Sequence, residues 1–143
     1  MRLAILLSLL ATPAFAWEFS SSPVCTLSHS TEKADLTVTF NSRTDGPYAI
    51  EITQGDATWQ PAPMFMLGFD GPRRSVITTD RHRLDDAGKT LTVTDTGFGN
   101  VLDGIEFNFV ALARSGETAL VFSLTGAAEP VQRFRLCAAS PEI

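Results

Sequence analysis

The chain has 143 residues, 44% hydrophobic and 19% charged, with a formal net charge of −5 at neutral pH. That length and apolar content specify a globular domain with a sizeable core and exclude intrinsic disorder. The acidic balance argues against nucleic acid and against an anionic membrane surface as partners.

Residues 1–16 read as a cleaved signal peptide. Arg2 gives a positive start, residues 3–10 give an apolar run, and Ala14-Phe15-Ala16 fits the small-x-small cleavage rule. The run is shorter than the ~20 residues that cross a bilayer, so no stable membrane insertion is expected after cleavage. The expectation is one β-rich domain over residues 17–143, exported to the periplasm or secreted. Cys25 and Cys137 lie near opposite ends of that domain. In an oxidising compartment such a pair reads as a disulfide between the first strand and the last element. It would stabilise the fold by about 4–5 kcal/mol on the chain-entropy model. Neither cysteine has a CxxC spacing or an adjacent histidine, so the structural reading is preferred over a catalytic or metal-binding one.

From Val24 onward the pattern is one of short strands separated by turns. Residues 36–40 and 48–53 alternate apolar and polar, which buries one face and wets the other. Residues 54–63 form a loop, because Pro61 and Pro63 forbid regular pairing. Residues 64–69 are apolar on both faces, as in a central strand, and residues 75–79 follow as a β-branched partner. Residues 90–94 and 105–113 are predicted strands, and Arg114-Ser115-Gly116-Glu117 is a hairpin connection into residues 119–124. Only the C-terminal end changes period. Pro130, Val131, Phe134, Cys137 and Ala138 make one apolar stripe, which predicts a short helix over residues 129–138. The fold class is all-β: a single-domain antiparallel β-sandwich or small barrel of about seven to nine strands with that helix.

Residues 95–104 join two of these strands and hold Gly97, Gly99 and Gly104 beside Asp95, Asn100 and Asp103. Asp95-Thr96-Gly97 resembles the active-site triplet of aspartic proteases, whose viral-type members are small all-β chains. The resemblance implies a dimer in which two carboxylates share a proton. It covers three residues. Phe98 stands where that family carries a small residue, and Thr94 where it carries an apolar one. A calcium loop of Asp95, Asn100 and Asp103 lacks EF-hand spacing. The stretch reads better as a shaped connection, with Phe98 and Leu102 inside and Asp95 bonded to nearby backbone.

Met64 and Met66 stand at i and i+2, so on a strand both thioethers project from one face. Thioethers select Cu(I). Together with Trp59 and a histidine, His82 or His29, they resemble the constellation of small periplasmic Cu(I)/Ag(I) chaperones. That resemblance implies a copper site of Met64, Met66 and His82. The alternative use of the two methionines is to fill core gaps. Arg73, Arg74, Arg81 and Arg83 with His82 concentrate positive charge in an acidic chain and are a candidate anion patch. Trp17, Phe19, Trp59 and Phe98 are either a recognition surface or caps on the open ends of the core.

No catalytic constellation is complete in sequence. The leading expectation is a non-enzymatic exported domain that binds a protein or small ligand and needs no cofactor. The alternatives are a Cu(I)-binding accessory protein and, behind it, a dimeric aspartic protease.

Overall fold

A computed structural model of the protein describes residues 16–140. The expected signal peptide lies outside them except for Ala16. Ten strands form two antiparallel sheets packed face to face, with no closed barrel. The larger sheet runs in the order β1 (Glu18–Ser20), β2 (Cys25–Ser30), β3 (Ala34–Phe40), β4 (Tyr48–Gln54), β8 (Thr90–Asp95) and β7 (Arg83–Leu84). The smaller runs β10 (Thr118–Ser123), β9 (Val110–Ser115), β5 (Phe65–Asp70) and β6 (Ser75–Thr79). Two helices, α1 (Gly99–Phe107) and α2 (Ala128–Ala139), complete the domain.

Strand alternation builds the core. Leu36 and Val38 of β3, Ile50 and Ile52 of β4, and Leu91 and Val93 of β8 turn inward from the larger sheet. Phe65, Leu67 and Phe69 of β5, with Leu120 and Phe122 of β10, meet them from the smaller one. A period of two gives each strand one buried face, which is why these segments were readable. The Gly116-Glu117 turn joins β9 and β10 with Ser115 opposite Thr118, as the hairpin expectation required, and Gly116 takes the left-handed φ of +59°.

The expected disulfide is present. Cys25 at the start of β2 is bonded to Cys137 in α2 across a sequence separation of 112. The expected C-terminal helix is present as α2, and it buries Val131 and Phe134.

The stretch over residues 95–113 departs from expectation. Its middle is a helix, and the predicted strand at residues 105–113 starts only at Val110. Val101, Leu102 and Ile105 are spaced to share one helical face, and all three are buried. The helix has no side-chain cap and three glycines in or beside it, so its stability comes from tertiary packing rather than propensity. Gly104 shows the packing most directly, because a Cβ there would overlap the Phe69 ring of β5. Phe98 and Leu102 are 5% and 4% exposed, as the connection reading predicted.

Two side-chain clusters fix α1 in place. The buried Asn108 follows its last turn. Its Nδ2 donates to Gly104 O (3.0 Å) and Arg73 O (2.9 Å), and its Oδ1 accepts from Arg73 N (3.0 Å). Asn108 thus pins the end of the helix to the turn between β5 and β6. From the other side, Arg135 of α2 reaches Asp103 Oδ1 at 2.7 Å and Glu106 Oε1 at 3.1 Å.

Candidate functional site

The two flanks of the sandwich are closed differently. On one flank, α2 packs on β1 and β2. There the indole Nε1 of Trp17 donates to Ser123 O of β10 at 2.9 Å and links the two sheets. On the other flank, residues 80–82 carry the chain from β6 across to β7. β7 is two residues long and pairs only with Leu91 and Thr92. The far end of β8, Val93 to Asp95, therefore has no strand on its outer side, and neither does β6.

A cleft of about 130 Å³ opens between these two free edges. Its floor is hydrocarbon from both sheets, with Ile50 and Val93 from one and Phe65, Leu67 and Ile77 from the other. Phe98, Asn100 and Val101, at the start of α1, form the end wall. Phe98 is held there by Tyr48, with ring centroids 5.5 Å apart.

One ion pair stands at the mouth. Arg81 Nη2 donates to Asp95 Oδ2 at 2.9 Å, and both side chains are open to solvent. The other oxygen, Oδ1, accepts from the Thr96 amide at 2.7 Å. Asp95 is thus bonded to nearby backbone as expected, and it also lines a cleft, which the turn reading did not include. The cleft presents this single carboxylate, and a guanidinium holds it. Asp103 points toward Arg135 on α2, so Asp95, Asn100 and Asp103 do not converge on one cation.

The other expected site residues are spread over the surface. Met64 precedes β5 and is 48% exposed, so only Met66 belongs to the strand. Met66 alternates with the buried Phe65 and Leu67 and stands on the outer face, opposite Thr78 and Arg114. Neither methionine fills the core, which corrects that part of the sequence reading; Met66 is half-buried on the outer face of the strand and Met64 is exposed. His82 lies against the Phe65 ring, centroids 6.1 Å apart, with Nε2 on Ala62 O at 2.9 Å and a buried Nδ1 without a partner. The histidine is thus on the Phe65 side of β5, and Met66 is on the other.

His29 is buried and stacks on Trp17 at 4.6 Å, with planes 6° apart. Burial lowers its pKa from the ordinary 6.5, opposed in part by a hydrogen bond to the Ala16 backbone. Trp59 is also interior: its Nε1 donates to Ile52 O at 3.1 Å, and its amide to Gly88 O at 2.8 Å. Trp17, Trp59 and Phe98 are therefore buried in the core, as the capping alternative expected, and of the three Phe98 also lines the cleft.

The arginines form two pairs rather than one patch. Arg73 and Arg74 precede β6, and Arg81 and Arg83 follow it, separated by a strand of about 17 Å. Arg74 is paired with Asp70 at 2.7 Å and Arg81 with Asp95. Arg73 lies over the Phe107 ring at 4.0 Å. Among the described residues, neither Arg73 nor Arg83 has a carboxylate partner.

Sequence reasoning named Asp95 and Arg81 separately and missed the cleft they share. The two are fourteen positions apart, on either side of the crossing between sheets, and no periodicity marks such a pair. Among the described residues no helix is long and apolar enough to cross a membrane. No family model, curated protein or solved structure matches the chain.

Proposed function

We propose that the protein is a non-enzymatic binding domain of an exported compartment, and that the cleft beside Arg81 and Asp95 is its binding site. The observation that carries this reading is the lining. In this cleft hydrocarbon from both sheets is reachable from the surface, with a single ion pair over the opening. A cavity of this size has room for about one benzene-sized ring or a five- or six-carbon chain. Arg81 supplies a donor fork for an anionic or carbonyl group attached to it. Export is supported by the amino-terminal signal pattern together with the Cys25–Cys137 disulfide.

Titration with hexanoate, followed by amide chemical shifts, tests the reading. Saturable shifts are expected at Ile77, Val93 and Phe98, and they should disappear in Ile77→Trp, which fills the cleft. A ligand that leaves those amides unmoved up to its solubility limit sinks the reading.

A further inference from the structure

The mouth of the cleft presents both signs of charge side by side. Among the residues lining it, Arg81 and Asp95 are the two that carry charge. Asp80 and Arg83 are close to Arg81 in sequence, yet neither lines the cleft. Both mouth residues are held from behind. Asp95 Oδ1 accepts from the Thr96 amide at 2.7 Å, which leaves Oδ2 to face the opening. The Arg81 amide donates to Thr79 Oγ1 at 3.1 Å, which fixes where its side chain departs. Among the described residues, Nη2 is the one guanidinium donor of Arg81 that is engaged, on Asp95 Oδ2 at 2.9 Å.

This arrangement disfavours a ligand of one sign. A carboxylate that bonds Arg81 comes to rest beside Asp95, so two like charges compete for one guanidinium. A plain cation at Asp95 meets the converse, because it sits beside Arg81. A ligand that carries both signs next to each other meets neither penalty. The exposed pair that it opens contributes little to the fold, so exchanging partners costs little. In an α-amino acid the ammonium, the carboxylate and the side chain all leave from one carbon.

We propose that the cleft takes a free α-amino acid with an apolar side chain. The proposal rests on the cleft being a binding site and names the class of its ligand. The ligand carboxylate accepts from the open donors of Arg81, its ammonium donates to Asp95 Oδ2, and its side chain enters between the sheets. A volume of about 130 Å³ suits a side chain of leucine or phenylalanine size. A polar side chain would lose its water on the hydrocarbon of Ile50, Leu67 and Val93 without gaining a partner.

The test compares hexanoate with norleucine, which is hexanoate with an ammonium on its second carbon. Both are titrated into the intact protein and followed at the amides of Ile77, Val93 and Phe98. Norleucine should bind about tenfold more tightly. Asp95→Asn keeps an oxygen for the Thr96 amide and removes the charge, so it should weaken norleucine, strengthen hexanoate and bring the two together. Equal affinities in the unaltered protein overturn the inference and leave the cleft reading standing, whereas binding of neither removes both. A preference for norleucine that survives Asp95→Asn also overturns it. N-acetylnorleucine and norleucinamide, which mimic the two ends of a peptide, should each bind more weakly than norleucine. A match by either would assign the cleft to a peptide terminus and overturn the free amino acid.

Discussion

The two flanks of the sandwich are built from the same kind of strand and finished in opposite ways. The flank at β1, β2 and β10 is sealed by a disulfide, a docked helix and the Trp17 indole reaching across to Ser123. The flank at β6 and β8 has one solvent-exposed ion pair and a cleft. A sandwich needs both flanks excluded from water to hold its core dry, so leaving one open costs stability. The covalent and aromatic fastening on the far side offsets that cost. The domain is stapled at one flank and open at the other.

Breaking the sealed flank should have the largest effect. Replacing both Cys25 and Cys137 by Ser removes a link across 112 residues and should lower unfolding free energy by about 4–5 kcal/mol, read by denaturant titration. A loss under about 1 kcal/mol would mean that α2 and the Trp17 contact seal that flank unaided.

Asn108→Ala comes next. It strips three hydrogen bonds from a buried position and orphans backbone groups of Arg73 and Gly104, at about 2–4 kcal/mol. Because Asn108 sets α1 against β6, hexanoate affinity should also fall. Unchanged affinity at reduced stability would show that the cleft wall is set elsewhere.

His29 belongs to the sealed flank and gives it a pH dependence. Its folded pKa lies below 6.5, so the unfolded chain takes up the proton first as pH falls. Stability is therefore flat above that value and declines below it, until the folded form is protonated too. Thermal melts from about pH 7.5 to about pH 5 should show the decline, and His29→Phe should flatten its share of it. A slope identical in the two proteins would separate His29 from the effect.

The smallest effect on stability is expected at the mouth of the cleft. Arg81→Ala removes an exposed pair worth about 0–1 kcal/mol to the fold, yet it should weaken hexanoate binding severalfold. Stability and binding moving in the reverse proportion would make Arg81 a fastening of the open flank.

How much of this was legible depended on whether a local pattern carried it. The strands at residues 36–40 and 48–53 were readable because alternation is a two-residue signal, and residues 75–79 because β-branched residues favour strands. The disulfide was readable because only one pairing of two cysteines exists. Helix α1 was not. Ile105 to Val110 alternates like a strand, Gly99 and Gly104 are poor helix formers, and the reason for the helix is the Phe69 ring, far away in sequence. β1 and β7 are three and two residues long, too short for any periodicity to show. Met64 and Met66 misled in another way, since an apolar residue on a strand does not say whether that face is covered. The cleft was hidden because it is a gap between sheet edges, and edges are defined by long-range order.

The grip of Arg135 on Asp103 and Glu106 has a temporal meaning. The end wall of the cleft belongs to α1, and α1 is clasped by α2, which follows it in the chain after β9 and β10. Without α2, Asp103 and Glu106 lose the Arg135 clasp that holds the wall. The wall of the cleft is thus fixed only once α2 (Ala128–Ala139) has folded against α1, so the shape of one flank is set by the helix that seals the other.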